Sequence, residues 1–386
     1  MVSTPQHRRS VSARRYFARR IVVASVTLGA LSAGAYGVVA ATGQSSKPRA
    51  SATTPHSGSV TTTKPAPVVA VTMSFVGDMD LGSTPQLPSN ASSYLNPVRS
   101  ALAASIVFGN LEGTLTNGTS SKCGSSSTNC YAFRNPPGYA HIYRAAGFNI
   151  LNSANNHSHD FSSQGVSDTS AALRAAKIAQ AGLPGQIGIV HVGAVRVSFV
   201  DFAPYSNTND LLNYAAAARL IKRAKAESNF VVVYMHVGAE GSGATHVSGS
   251  EEYYVGEDRG NAQRFAHAAI NSGASLVVAS GPHVLRGMEF YRGHLIAYSL
   301  GDFSSYYNFA TSGTLGESAI LHVTLSSTGL FQSAHFLSVR LNGAGRPFLD
   351  PSGASRRLVN TLTRQDFGSR GALIGTNGTI SPAAAG

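Results

Sequence analysis

The apolar runs of this chain repeatedly end in a side chain that can bind a metal ion or transfer a proton. VVAVTMSFVGD ends at Asp78, and IVFGNLEG delivers Glu112. The complete set that follows such runs is Asp78, Glu112, Asn156, His157, His236 and His283. A single aspartate after glycine is usually a turn, and a single histidine on a strand is usually core. Here five predicted strands each end in such a side chain. Because open α/β sheets bind ligands at the carboxyl ends of their strands, these side chains together predict one shared site.

Helical segments alternate with these runs. The pattern of apolar residues and end signals predicts helices over 136–148, 167–182, 211–228, 260–273 and 356–365. Hairpins are predicted over 188–204 and 318–343. The alternation indicates an α/β fold, and the hairpin-rich last third favours antiparallel strands, as in a sandwich of two sheets.

The formal net charge of +12 comes mainly from the N-terminus. Residues 1–70 hold nine Lys or Arg and no acid, which leaves 21 basic against 18 acidic residues in the rest. The globular part is therefore nearly neutral. It has no basic stripe interleaved with aromatic residues, so we expect no nucleic-acid partner.

The N-terminus resembles a membrane-targeting segment. Residues 1–20 contain six arginines, and residues 21–43 contain no charged side chain. That apolar length suffices to span a bilayer, and the arginines predict a cytoplasmic N-terminus. Two alternatives stay open: an uncleaved single-pass anchor, which the length favours, or a signal peptide that is cleaved before secretion. Both place the globular domain outside the cytoplasm, beyond a disordered Ser/Thr/Pro linker at 44–67.

Cys123 and Cys130 are the only cysteines of the chain. In an extracytoplasmic, Ser/Gly-rich loop, two cysteines seven residues apart predict a disulfide. Two cysteines with no histidine nearby would make a poor zinc site.

The motifs VGDMD, GNLEGTLT, NNHSHDFSSQG, MHVGAE, GPHV and YSLGDF also carry a resemblance. In this order and rough spacing they resemble the capsule-synthesis CapA (PgsA) family, which is involved in poly-γ-glutamate production and is similar to calcineurin-like metallophosphoesterases. The similarity covers about residues 71–343. It implies a four-layer α/β/β/α sandwich of the metallophosphoesterase type over 68–345, followed by a C-terminal helix and tail over 346–386.

The resemblance also implies roles for single residues. His157 would assist the leaving group, and Asp160, which lies three residues further along the chain, could orient it. Asn110, Glu240 and Asp302 would contact substrate or support the ligands. The implied metal ligands are Asp78, Asp80, Glu112, Asn156, His236 and His283. Their mixture of carboxylate, amide and imidazole suits Mn, Fe or Zn, as one or two ions.

Two departures from the family pattern bear on the number of ions. Gly281 stands where the family's GHHPHV motif has a histidine, which would remove one ligand from the ion held by Asn156 and His236. Asp80 stands where metallophosphoesterases have the histidine of Asp-x-His, and it could act as a harder ligand. One ion is therefore favoured over two.

Three functions fit this sequence. The first is a membrane-anchored CapA-like protein that assists synthesis or export of an anionic exopolymer, together with capsule-synthesis membrane proteins. The second is a secreted metal-dependent phosphoesterase, and the third is a non-catalytic polymer-binding scaffold with a partly decayed metal site. The sequence leaves open whether the protein is an enzyme.

Overall fold

A computed structural model of the chain describes residues 70–124 and 130–383. These residues fall within one unit of the chain, Pro65–Gly386. The predicted N-terminal segments 1–20, 21–43 and 44–67 lie outside the described residues. Among the helices that are described, none is both long and apolar enough to cross a membrane.

The strands are short, apart from three of about ten residues. Within the described residues they are β1 (Ala70–Met79), β2 (Ile106–Leu111), β3 (Thr114–Leu115), β4 (Arg134–Asn135), β5 (Ile150–Asn152), β6 (Ala179–Ala181), β7 (Gly188–Val192), β8 (Val195–Phe202), β9 (Phe230–His236), β10 (Glu252–Tyr254), β11 (Glu257–Gly260), β12 (Leu276–Ser280), β13 (Met288–Tyr291), β14 (His294–Ala297), β15 (Asp302–Ser304), β16 (Glu317–Ser326), β17 (Phe331–Leu341), β18 (Pro347–Leu349), β19 (Ala372–Ile374) and β20 (Ile380–Pro382).

The helices lie between these strands. They are α1 (Ala140–Ala146), α2 (Ser162–Ala175), α3 (Tyr214–Glu227), α4 (Ala262–Asn271) and α5 (Ala354–Phe367). Asn213 caps α3 and Asn261 caps α4, each by accepting a backbone N–H with its side chain.

Two large sheets form the frame. The first has the order β18-β17-β16-β1-β2-β5-β6, with β15 also beside β1. The second has the order β13-β14-β12-β9-β8-β7. Their central pairs, such as β1 with β2 and β9 with β12, are parallel, whereas the hairpins β7–β8 and β16–β17 are antiparallel. The predicted mixed α/β fold is confirmed.

The two sheets pack face to face. Phe108 of the first sheet stacks on Phe199 of the second at 5.5 Å between ring centroids, and it contacts Tyr234 at 5.1 Å. These rings belong to a fully buried cluster that draws on both sheets. Residues of α1 and α2 pack on the outer face of the first sheet, and residues of α3 and α4 pack on that of the second. The layers therefore run helix, sheet, sheet, helix.

The prediction of a helix over 167–182 is wrong at both ends. The helix α2 spans Ser162–Ala175, and Lys177 has a φ of +56°. A left-handed residue cannot continue an α-helix. The alanine-rich stretch after it forms β6, because pairing with β5 outweighs the helix propensity of alanine.

The C-terminal segment is joined to this frame. The strand β18 extends the first sheet, and Val359 of α5 lies in the core between the sheets. Glu289 of β13 is buried, and it forms an ion pair with Arg370 at 2.8 Å. It also accepts hydrogen bonds from His267 at 3.0 Å and from the hydroxyl of Tyr298 at 2.8 Å. Burial would raise the pKa of Glu289, but these partners outweigh it and lower that pKa below its usual value.

We predict that Glu289→Gln lowers the free energy of unfolding by about 1–3 kcal/mol at pH 7, since it removes a buried, hydrogen-bonded charge. A carboxyl group whose pKa is lowered by folding stabilises the protein above its unfolded pKa, about 4.3 for glutamate. The loss should therefore shrink as the pH falls below that value. Urea unfolding at pH 7 and pH 3.5 measures both effects.

The exposed Glu227 provides the control, because Glu227→Gln should change stability by less than about 0.5 kcal/mol at either pH. Equal effects of the two substitutions would show that the Glu289 network does not stabilise the fold.

Candidate metal centre

Parallel pairing places four polar residues in one row of the first sheet. Asp78 of β1 lies opposite Asp302 of β15 on one side and opposite Asn110 of β2 on the other. Asn110 in turn lies opposite Asn152 of β5. Gly77 allows β15 to approach, since a Cβ there would collide with the carbonyl oxygen of Gly301.

The second sheet contributes from the facing edge. His236 of β9 lies opposite Ser280 of β12, so the carboxyl ends of these strands coincide. Ser280 donates its hydroxyl to Oδ1 of Asp78, and the N–H of Gly281 donates to Oδ2 at 3.1 Å. Asn110 donates to Oδ1 of Asp78 at 2.7 Å. Asp78 is thereby held by both sheets at once.

Two overlapping groups of side chains are spaced as metal ligands. In each group the candidate ligand atoms all lie within 4.8 Å of one another. The groups are Asp78, Glu112 and His236, and Asp78, His283 and Asp302. The structure therefore brings together five of the residues that the sequence analysis placed at this site.

Several of these atoms are buried and have no hydrogen-bond partner within the described residues. They include both carboxylate oxygens of Glu112, Nε2 of His236 and Oδ2 of Asp302. Outside the two groups, Oδ1 of Asn156 and Oδ1 of Asp80 are also buried without a partner. Unsatisfied buried acceptors are rare and costly. Oxygen and imidazole nitrogen donors that point inward together fit a divalent cation.

The protonation equilibria also fit a cation. Burial raises the pKa of Glu112 well above its usual value, and the nearby Asp78 carboxylate adds to the shift. Burial raises the pKa of Asp78 as well. Burial lowers the pKa of His236 well below its usual value, which keeps the imidazole in the neutral form that binds metals. A divalent ion would supply the positive charge that these carboxylates otherwise lack.

His283 has a strained backbone and an acidic environment. Its φ is +60°, which is uncommon for a residue other than glycine. Its Nδ1 lies 2.7 Å from Oδ1 of Asp302. Burial opposes a charge on His283, but the carboxylates of Asp302, Glu112 and Asp78 raise its pKa well above the usual value. Burial raises the pKa of Asp302 to about 6. A proton on His283 thus partly neutralises the acids.

His157 and Asp160 form the predicted pair. Nδ1 of His157 lies 2.7 Å from Oδ2 of Asp160, which also accepts the N–H of Phe133 at 2.6 Å. Lys122 pairs with the other oxygen of Asp160 at 2.6 Å. With Nδ1 engaged, Nε2 of His157 is free, 4.0 Å from Oε1 of Glu112. Burial lowers the pKa of His157, and Asp160 opposes this.

Asp80 is placed differently from the other predicted ligands. It belongs to neither ligand group, and its Oδ2 accepts a hydrogen bond from Asn308 at 2.6 Å. Burial raises its pKa well above the usual value. Oδ1 of Asp80 is buried without a hydrogen-bond partner within the described residues, so Asp80 is hydrogen-bonded through one oxygen and lies outside the two groups of spaced ligand atoms.

Some residues of the site escaped the sequence analysis. Ser280 donates a hydrogen bond to Asp78, although it directly precedes the GPHV motif at 281–284. Arg259 is buried and donates to Oε1 of Glu240 at 2.7 Å, while Oε2 of Glu240 lies 3.7 Å from Nε2 of His283. No motif in the local sequence identifies Arg259, which reaches the site because it lies on the short hairpin of β10 and β11.

A cavity of about 320 Å³ opens onto this centre, and His157, Glu240, His283 and Asp302 line it. The predicted disulfide between Cys123 and Cys130 is present, with 5.6 Å between the Cα atoms. The next residue, Tyr131, also lines the cavity. The bridge thus lies next to the rim of the site.

A comparison with models of protein families confirms the predicted resemblance to the capsule-synthesis family. The model of the bacterial capsule synthesis protein PGA_cap matches residues 72–307, which is more than half of the chain. This chain belongs to that family. The matched residues include every candidate ligand described above.

Relatives in the family carry capsule names. The chain is 28% identical to the PGA biosynthesis protein CapA of Bacillus subtilis (strain 168) over 60% of this chain and 62% of that protein. It is 29% identical to the capsule biosynthesis protein CapA of Bacillus anthracis over 42% of this chain and 41% of that one. The chain thus spans less than two thirds of the length of these relatives.

Solved structures show only distant likeness. A 5'-nucleotidase precursor from Thermus thermophilus is 13% identical, with a TM-score of 0.37, over 77% of this chain and 59% of that one. A purple acid phosphatase from yellow lupin (Lupinus luteus) seeds is 9% identical, with a TM-score of 0.35, over 73% and 54%.

Gly281 has a structural role of its own. Its φ is +115°, and a Cβ there would lie 2.9 Å from the backbone nitrogen of Val237 and 3.3 Å from the ring of His236. A histidine would not fit at this position with the backbone as it stands. The backbone N–H of Gly281 instead contributes to the site by donating a hydrogen bond to Asp78.

We predict that Gly281→Ala destabilises the protein and weakens metal binding, because the new methyl group must displace Val237 or His236. Gly241 is a matched control, with a φ of +109° and open space around it. Both substitutions should lower the free energy of unfolding by about 1–2 kcal/mol, because alanine is unfavourable at a positive φ. Only Gly281→Ala should add a further loss of about 1–3 kcal/mol from overpacking.

Urea unfolding and elemental analysis of the two variants measure the difference. Equal stability and equal metal content in both would contradict the role given to Gly281.

Proposed function

We propose that this member of the PGA_cap family is a membrane-anchored, extracytoplasmic protein that assists synthesis or export of a poly-γ-glutamate-type exopolymer and hydrolyses phosphoesters with a divalent metal ion. One observation carries the enzymatic part. Unpartnered buried carboxylate and imidazole atoms from two sheets converge at one edge, beside a cavity. The capsule names of the relatives support the polymer role.

The candidate ligands are Asp78, Glu112, Asn156, His236, His283 and Asp302. Their oxygen and nitrogen donors suit Mn, Fe or Zn. The ion would activate water as a nucleophile and polarise the phosphoryl group. We infer one ion rather than two, because Asp80 lies in neither group of spaced ligand atoms and Gly281 leaves no room for another histidine.

Proton transfer and the orientation of the ligands would be carried out by side chains of this protein. Asp160 accepts the Nδ1 proton of His157 and fixes the ring, so Nε2 faces the cavity. Burial favours the neutral imidazole, so Nε2 can take up a proton and later return one to the leaving group. Asn110 and Ser280 orient Asp78, and Arg259 orients Glu240 at the rim.

We predict that two substitutions separate metal binding from catalysis. His157→Gln should keep the metal and lose about 10²–10⁴-fold in hydrolysis of bis-p-nitrophenyl phosphate with Mn²⁺, because it removes a general acid–base group. Glu112→Gln should lose both metal and turnover, because it replaces a candidate ligand. Elemental analysis and initial rates on the full chain give the two readouts.

Two controls match these variants. His159→Gln alters a neighbouring histidine that bonds Ser158, and Glu227→Gln alters an exposed glutamate. Both should keep metal and rate. Metal retention without turnover in the unaltered protein would favour the non-catalytic, polymer-binding function. Unchanged metal content in Glu112→Gln would refute the proposed centre.

The location of the protein is part of the same proposal. Arginine-rich residues 1–20 followed by uncharged residues 21–43 support an anchor with the domain outside. We predict that the chain stays in the membrane pellet after an alkaline carbonate wash and that its mass retains residues 1–43. Release into the medium with a shortened N-terminus would instead establish the secreted alternative.

A further inference from the structure

The cavity beside the metal centre has an aromatic wall. Phe133 packs against His157 with 4.4 Å between ring centroids, and Phe309 packs against His283 at 4.8 Å. The two phenylalanine rings meet edge to face at 5.6 Å. Each of these two histidines therefore has an aromatic neighbour on the cavity side.

Two tyrosines extend this wall outward. Tyr131 is 65% exposed and Tyr254 is 37% exposed, and both line the cavity. Exposed aromatic rings that converge on one cavity are characteristic of a binding surface rather than of ordinary exposure. The four rings Phe133, Phe309, Tyr131 and Tyr254 are called the aromatic wall below.

The charges around the cavity are acidic. Glu240 and Asp302 line it, whereas no lysine or arginine of the described residues does. The buried guanidinium of Arg259 is paired with Glu240 at 2.7 Å, and Lys122 is paired with Asp160 at 2.6 Å. A substrate carboxylate placed in this cavity would face Glu240 and Asp302, and the cationic side chain of the described lining, His283, is already paired with Asp302 at 2.7 Å. Burial of such an unpaired charge is unfavourable.

We propose that the group bound in this cavity, next to the phosphoryl group at the metal centre, is uncharged and carries a ring or another flat apolar face. The substrate would then be a phosphoester of a ring-bearing, uncharged alcohol, and the carboxylates of an anionic polymer would stay outside the cavity. This inference rests on the proposed metal centre. It narrows the substrate class, because the metal ion binds the phosphoryl group and the aromatic wall selects the alcohol.

Three phosphonates that share one head group test the proposal by calorimetry on the Mn²⁺-loaded full chain. Phenylphosphonate adds a ring to the head group, 2-carboxyethylphosphonate adds a carboxylate, and methylphosphonate adds neither. We expect phenylphosphonate to bind roughly tenfold more tightly than methylphosphonate, since a ring stacked on aromatic side chains buries apolar surface. We expect 2-carboxyethylphosphonate to bind no more tightly than methylphosphonate.

Substitutions in the aromatic wall test whether these residues cause the tighter binding of phenylphosphonate. Phe309→Ala and Tyr254→Ala should each lose most of the advantage of phenylphosphonate and leave the affinity for methylphosphonate unchanged. Tyr253→Ala is the matched control, because Tyr253 is 64% exposed on the same hairpin as Tyr254 and does not line the cavity. It should keep the advantage in full.

The outcomes separate this inference from the proposed function. Equal affinity for the phenyl and methyl compounds, or tighter binding of the carboxyethyl compound, would overturn the inference while the metal centre stands. A protein that binds no Mn²⁺ by elemental analysis and no phosphonate would overturn the metal centre and this inference with it. An advantage of the ring that survives both wall substitutions would also overturn the inference.

Discussion

The contact on which this structure depends is the one that Asp78 makes with both sheets. Asn110 reaches its carboxylate from the neighbouring strand of the first sheet, and Ser280 and Gly281 reach it from the second. The facing edges of the sandwich therefore meet at a carboxylate rather than at an apolar contact. Gly77 and Gly281 allow close approach within each sheet: a Cβ on Gly77 would collide with Gly301 beside β15, and a Cβ on Gly281 would crowd Val237 after β9. Candidate ligand atoms of Glu112, His236 and His283 each lie within 4.8 Å of a candidate ligand atom of Asp78.

Such an edge is costly to build without a cation. Glu112 and Asp302 are buried, and burial raises the pKa of each. His283 offsets part of this cost with a proton, which its acidic neighbours favour. A divalent ion would offset more of it, because it brings two charges and takes up the unpaired donor atoms. Metal binding and stability of this edge should therefore be coupled.

Much of the fold and of the candidate site could be predicted from the sequence. The features that could not be predicted depend on tertiary contacts. Polar residues after apolar runs identified the strand ends, and strand ends meet because parallel strands share an edge. The pairing of His157 with Asp160 followed from their close spacing. The segment after Ala175 was predicted as helix, because local propensity does not report pairing with β5. Arg259 and Phe309 were missed, since the path that brings each to the site depends on tertiary packing.

The chain belongs to the PGA_cap family, and its cavity joins an acidic cluster of candidate metal ligands to an aromatic wall. The central claim is that Asp78, Glu112 and His236 hold a metal ion. Anomalous diffraction at the manganese edge, from crystals of the full chain grown with Mn²⁺, tests this claim most directly. The account predicts a peak within bonding distance of Asp78, Glu112 and His236 that disappears in Glu112→Gln. A map with no peak at these residues, or with its peak elsewhere, would contradict it.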